Sequence, residues 1–408
     1  MTSRDLISIA DLTRGEVLEI LDLATRIKRD PGAYRAALSQ KTLAMIFEKP
    51  SLRTRVSFET GMVQLGGHAI YLSPADIALG KRESVPDVAR TLSGTVDGII
   101  ARTFAHQVVI ELARHATVPV INALSDLQHP CQALADFLTI RETLGRMEGV
   151  KLAYVGDGNN VAHSLLHAGA KLGAHVSVAT PRGYEPHAEV VRRAREEAAE
   201  TGARIEAGHD VQAAVAGADV VYTDTWTSMG QEAEREARLP VFRPYQVNAV
   251  VMARAKPGAL FMHCLPAHRG EEVIDEIIDS RSSVVFQQAA NRLHVQKALQ
   301  VLLLGGEASQ GRHRPPLRSL ADPRAEDTSG PWGLDSRGRL LAQYPALPKR
   351  YDPSGSGTDD DGNLCLQRGG GPEEMDPHRR GGPDPRAARD LRRQGADGQA
   401  PARVHALP

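Results

Sequence analysis

Aromatic side chains are scarce: Phe, Tyr and Trp make up 4% of the 408 residues. Any core must therefore be aliphatic, and 41% apolar residues suffice to build one. Cysteine is scarcer still. Three residues, Cys131, Cys264 and Cys365, argue against a disulfide framework and fit a reducing compartment. Net charge is almost absent, with 49 Lys and Arg against 50 Asp and Glu, so no global field steers the chain to nucleic acid or a membrane. No stretch reaches membrane-spanning length. The opening MTSRDLISIADLTRGEV carries charges every few residues and lacks the apolar run of a signal peptide. A cytoplasmic, soluble protein is the expectation.

From Gly311 onward the chain also lacks Ile and Phe, and its one Val is Val404. These 98 residues hold 13 of the 25 prolines and are dominated by Arg, Gly, Pro and Asp. Such a segment buries too little apolar surface to offset its chain entropy. Residues 311–408 therefore read as a disordered tail. Its composition also matches GC-rich codons translated out of phase.

What is present, over residues 1–310, is an alternation of apolar runs and helical patterns. Strand-like runs are TLAMIF (42–47), HAIYL (68–72), GIIAR (98–102), VPVINA (118–123), KLAYVG (151–156), HVSVAT (175–180), ADVVYT (218–223), ALFMHC (259–264) and SVVFQ (283–287). Alternation of this kind implies α/β architecture with parallel sheets covered on both faces. A break near GRMEG (145–149) divides the runs into two sets. Two doubly wound parallel-sheet domains sharing a cleft are expected: 1–145, with a closing helix at about 290–308 packing back on it, and 146–289. Ligands in such folds bind at the carboxyl ends of strands.

The polar motifs cluster at those ends. In EKPSLRTRVSFETG, Ser51, Arg53, Thr54 and Arg55 sit where a strand gives way to a helix. First-turn amides and the helix dipole favour an anion there, and guanidinium forks match phosphate oxygens. Read alone, the stretch fits equally a Ser cap followed by solvated arginines. Arg102 closes the strand GIIAR. In HPCQALADFL, His129 and Gln132 share a helix face if the helix starts at Pro130.

In YVGDGNNVAHS, Gly156 and Gly158 resemble the start of a dinucleotide fingerprint, but Val161 occupies the third glycine position and no acidic residue ends the next strand. A nicotinamide cofactor is therefore not expected; Asn159 and Asn160 present amides instead. Asp224 in DTWTSMG offers a carboxylate to an ammonium, with Ser228, Met229 and Gly230 following on a loop. Cys264 in HCLPAHRG lies at a strand end, with His263 and His268 as neighbouring candidate bases. No C-x-x-C or H-x-x-x-H spacing supports a zinc site.

Together SLRTR, ARTFAH, LSDLQHPCQALAD, GDGNN, DTWTSMG and HCLPAHRG resemble the ornithine carbamoyltransferase family, within the aspartate/ornithine carbamoyltransferase superfamily, over about residues 1–308. The resemblance implies that Ser51, Arg53, Thr54 and Arg55 bind the phosphate of carbamoyl phosphate. It further implies that Arg102, His129 and Gln132 hold the carbamoyl group, with Arg292 as another contact. Asn160, Asp224, Ser228 and Met229 would bind L-ornithine, and Cys264 with Leu265 would complete the site. Arg102, His129, Asp224 and Cys264 are the implied catalytic set. The implied reaction forms citrulline and phosphate in arginine synthesis, in a homotrimer, with no metal or organic cofactor. The arginine-degrading direction and an inactive regulatory paralogue are the alternatives. The chain departs from the family pattern at Gln287, Gln288 and Ala290, where acidic residues are expected before Asn291–Arg292, and at Pro86 and Gly94.

Overall fold

The computed structural model describes residues 4–305; the tail expected to be disordered, and Cys365 within it, lie outside the described residues. Two all-parallel sheets organise the described chain. The first has the order β2-β1-β3-β4, with β1 Thr42–Phe47, β2 His68–Leu72, β3 Gly98–Arg102 and β4 Val120–Leu124. The second has the order β7-β6-β5-β8-β9, with β5 Lys151–Val155, β6 His175–Ala179, β7 Ile205–Gly208, β8 Val220–Thr223 and β9 Leu260–His263. β1, β3, β4, β5 and β8 are near-continuous apolar runs, as strands buried on both faces require.

Eight principal helices cover the sheets: α1 Arg14–Arg29, α2 Leu52–Gln64, α3 Val85–Ser93, α4 His106–His115, α5 Pro130–Leu144, α6 Asn160–Leu172, α7 Ala188–Ala198 and α8 Arg235–Phe242. A ninth, α9 Val285–Leu304, follows the second sheet but packs against α1, α2 and α5 on the first. α1 starts with a capping box: the Thr13 hydroxyl accepts from the Glu16 N–H at 3.2 Å, and Glu16 Oε2 accepts from the Thr13 N–H at 2.9 Å. Pro86 falls in the first turn of α3, where its missing N–H costs nothing, so this departure from the family pattern fits the helix.

Two elements differ from the sequence reading. Ser283–Gln287 was expected as a strand because it is rich in β-branched and aromatic residues. The segment makes one bridge, Ser283 to Phe261 beside β9, and then turns into α9 at Val285, five residues before the expected closing helix. β7 was not expected: IEAG is four residues long, sits at a sheet edge and is largely exposed, so it carries little apolar signal.

Each sheet reverses its winding once, between β1 and β3 and between β5 and β8. The residues just past these carboxyl ends face one cleft: Lys49–Arg53 after β1, Arg102 at the end of β3, Asn160 beyond β5, Asp224 after β8 and Cys264 after β9. Among the described residues no helix is long and apolar enough to cross a membrane.

Candidate active site

The cleft holds a cavity of about 380 Å³, and one end of it is cationic. α2 begins there, with Ser51 as its cap; the Ser51 hydroxyl accepts from the Thr54 N–H at 3.2 Å. Ser51, Leu52 and Arg53 line the cavity. Thr54 is fully buried and turns inward, so it meets the cavity through others: its Oγ1 accepts from Arg292 at 2.9 Å and from Arg102 at 3.5 Å. Arg55 does not line the cavity. It pairs with Glu59 at 3.0 Å and stacks 3.8 Å over the Tyr71 ring. The helical period explains this, because residues two apart point to different faces. A phosphate here would meet Arg53 but not Arg55.

Arg102 and Arg292 complete the cationic end from β3 and α9. Both are buried, and each Nε lacks a hydrogen-bond partner among the described residues. Burial, then the charges of Arg292 and Arg53, push the Arg102 pKa down to about 9. Three guanidinium groups in one low-dielectric pocket repel one another, and a bound anion relieves that repulsion.

His129 caps α5 from the cavity side; its N–H donates to Ser164 at 2.8 Å. Burial, then Arg292, Arg102, Arg53 and Lys49, hold its imidazole well below the ordinary range. It is therefore neutral at physiological pH and can donate one ring N–H to an oxygen without adding a further positive charge to these four. Gln132, one turn on, also lines the cavity.

The other end is anionic. Asp224 is buried and already takes three donors: Asn159 at 2.7 Å, the Thr225 N–H at 2.8 Å and the Cys264 thiol at 2.9 Å. Loss of solvent and the neighbouring carboxylate push the Cys264 pKa well up. Cys264 is thus a thiol that donates to Asp224, not a thiolate nucleophile. His263 cannot serve it as a base, because its ring nitrogens are occupied by Glu272 at 3.1 Å and the Leu265 N–H at 2.9 Å. His268 is directed to Thr225 at 3.0 Å. Asp224, His263 and Cys264 bring ligand-type atoms within 4.8 Å of one another, yet each is already hydrogen-bonded within the chain.

Asn160, Ser228, Met229 and Leu265 also line the cavity. Asn160 donates to the Ser125 carbonyl at 2.5 Å, which leaves its own amide oxygen for a ligand. The turn before α6 depends on Gly158: a Cβ there would lie 2.2 Å from the Pro186 nitrogen. The loop carrying Ser228 and Met229 is anchored by Arg238, which donates to the Trp226 carbonyl at 2.6 Å and pairs with Asp157 at 2.7 Å.

Sequence reasoning overlooked Lys49. It lines the cavity, is buried, and lies 4.4 Å from the Phe104 ring centroid. Burial and Arg102 lower its pKa. Its place directly before Pro50–Ser51 was the available signal.

Residues 4–142 match the family model described as Aspartate/ornithine carbamoyltransferase, carbamoyl-P binding domain, and residues 148–303 match the Asp/Orn binding domain of the same family. The chain belongs to the aspartate/ornithine carbamoyltransferase family. Among curated family members, the ornithine carbamoyltransferase of Thermococcus kodakarensis is 56% identical over 308 residues, covering 75% of this chain and 98% of that protein. The anabolic ornithine carbamoyltransferase of Pyrococcus furiosus is likewise 56% identical, again over 75% and 98%. The solved Pyrococcus furiosus structure superposes with a TM-score of 0.72, covering 74% of this chain and 97% of that one. That of the anabolic enzyme from Campylobacter jejuni is 40% identical, with a TM-score of 0.70 over 73% and 98%. The matched regions end near the close of α9, so the family likeness is carried by the described residues.

Proposed function

We propose that the chain transfers the carbamoyl group of carbamoyl phosphate to the δ-amine of L-ornithine, giving L-citrulline and phosphate in the direction of arginine biosynthesis. One observation carries this reading: a single cavity has a helix N-terminus with three guanidinium groups at one end and the Asp224–Cys264 pair at the other. The cationic end suits a phosphate that is bound and then expelled. Asp224 suits an amine.

In the proposed reaction the neutral δ-amine attacks the carbonyl carbon. Negative charge develops on the carbonyl oxygen, where Arg102 and His129 stabilise it; preorganised donors of this kind are worth roughly 3–4 kcal/mol each. The tetrahedral intermediate then collapses. The C–O bond to phosphate breaks, phosphate leaves with the electron pair toward Ser51, Arg53 and Arg292, and the surplus amine proton passes to a phosphate oxygen. A lysine-like amine has a pKa of about 10.4, so its neutral form must be captured. Asp224, held by three donors, orients that amine, and the Cys264 sulfur offers lone pairs beside it.

The proposed assembly is a cytoplasmic homotrimer. Self-association is supported by α2, where Leu52, which also lines the cavity, Val56 and Val63 are 74%, 50% and 68% exposed at successive spacings of four and seven residues. A neighbouring copy would cover this apolar stripe. The functional reading is tested by phosphate release and by mass identification of the carbamoylated product with the full-length protein, offering ornithine, putrescine and aspartate as acceptors. Turnover with ornithine is expected; turnover with aspartate alone would overturn the assignment.

A further inference from the structure

Asp136 lies on α5, one turn beyond Gln132, fully buried and outside the cavity wall. Its Oδ1 accepts from Gln132 Nε2 at 2.8 Å and from Gln288 Nε2 at 2.7 Å. Its Oδ2 meets the Tyr222 hydroxyl at 3.1 Å. Gln288 also donates to the Tyr222 oxygen at 3.0 Å and accepts the His263 N–H at 3.1 Å. Asp136 thus joins α5 to β8 and α9.

The two faces of the Gln132 side-chain amide meet unlike partners. On one side stands Asp136 Oδ1, which accepts two amide donors. On the other stands Arg292, a guanidinium with no acceptor capacity, which donates to Gln132 Oε1 at 3.1 Å. An amide wedged between an acceptor and an obligate donor has one orientation: NH2 toward Asp136, carbonyl toward Arg292. Turning it over would set NH2 against guanidinium and oxygen against carboxylate, leaving buried groups unpaired on both sides. Of the two residues, Arg292 lines the cavity and Asp136 does not. The atom that Gln132 offers a ligand is therefore its carbonyl oxygen, which keeps a lone pair beyond the one used by Arg292.

We propose that Asp136 is a positioning residue that fixes Gln132 as a hydrogen-bond acceptor in the cavity, and thereby selects an acyl phosphate bearing an amino group over one bearing a methyl group. The proposal rests on the functional reading above, since it concerns how the same cavity recognises the donor substrate. A methyl group has no hydrogen to give. It would leave the fixed oxygen unpaired, and sites built around a polar partner reject analogues that lack it. The role requires an acceptor at Oδ1 and not a negative charge. A carboxamide whose oxygen occupies the Oδ1 position would serve, with its NH2 turned to Tyr222.

The test compares wild type, Asp136→Asn and Asp136→Ala. Citrulline synthesis gives KM for carbamoyl phosphate, and acetyl phosphate, the methyl isostere, is titrated as a competitor. The readout is the ratio of the acetyl phosphate inhibition constant to that KM. Asp136→Ala is expected to narrow the ratio about tenfold or more, and Asp136→Asn to keep it within about threefold of wild type. If Asp136→Ala does not fold, Asp136→Ser, whose hydroxyl stops short of Gln132, is read in the same way. A purely structural role would weaken turnover and both ligands in parallel, leaving the ratio unchanged; that result overturns the proposal. So does an Asp136→Asn variant that discriminates as poorly as Asp136→Ala. Wild type that makes no citrulline refutes the functional reading, and the proposal with it. Active wild type with an unmoved ratio refutes the Asp136 role alone.

Discussion

Arg292 and Thr54 are 238 residues apart in the chain, and the guanidinium of one donates to the hydroxyl oxygen of the other at 2.9 Å. The bond brings the last helix onto the first turn of α2 and leaves Arg292 between Thr54 and Gln132. Lysine cannot reproduce this fork, because its ammonium is a single point on a flexible stem. Arg292→Lys should therefore lower kcat/KM for carbamoyl phosphate by about 10- to 100-fold and reduce Tm, although the charge is kept. Steady-state kinetics with a parallel melting curve checks this; wild-type kcat/KM in the variant would contradict the placement.

Arg53 and Arg55 make a paired comparison. Arg53→Ala should weaken carbamoyl phosphate by roughly 1.5–3 kcal/mol, the range for bonds to charged groups. Arg55→Ala, which loses an exposed ion pair and a ring contact, should leave that affinity within about threefold. Calorimetric titration of both variants separates them. Equal losses would show that Arg55 reaches the ligand.

Cys264 should resist alkylation at neutral pH. Its pKa is pushed up by the loss of solvent and by Asp224, so the thiolate is sparse well above pH 7. Asp224→Asn removes the negative neighbour and should speed iodoacetamide labelling several-fold at pH 8. Fast labelling of the wild type at pH 7, located to Cys264 by peptide mass, would contradict the neutral thiol.

His106 sets part of the acid limit. Its ring contacts Ser125 Oγ at 2.8 Å, and burial lowers its pKa from the ordinary 6.5 to about 4. Between these values the unfolded chain takes up a proton that the folded one refuses. The stabilisation is complete above pH 6.5 and is lost as pH falls toward 4. His106→Asn should melt below wild type at pH 7, and the gap should narrow steadily toward pH 4.5. A gap independent of pH would rule this out.

Much of this architecture was legible because buried parallel strands are apolar runs whatever surrounds them. TLAMIF and GIIAR have the bounds expected from their composition, ADVVYT loses two residues at its start, and VPVINA loses two at its start and gains Leu124 at its end. SVVFQ misled for the same reason: its residues are good in strands, but only Ser283 pairs, and packing against α1, α2 and α5 turned the remainder into a helix. The polar motifs were visible as residue types at strand ends. Their roles were not. SLRTR does not say which arginine faces inward, and HCLP does not say whether sulfur is a donor or a nucleophile. The unusual Gln288 was readable only as a departure, whereas in the fold it ties Asp136, Tyr222 and His263 together.

The sequence by itself determined the alternation of strand and helix, the two sheets and the set of polar residues at their carboxyl ends, because these follow from local periodicity and turn chemistry. Only the tertiary structure decided that Arg55 points away, that Cys264 donates a hydrogen bond to Asp224 and that Gln132 is held between an acceptor and a donor. Each of these depends on partners distant in sequence, whose burial and charge come into play only once the two sheets close on one cavity.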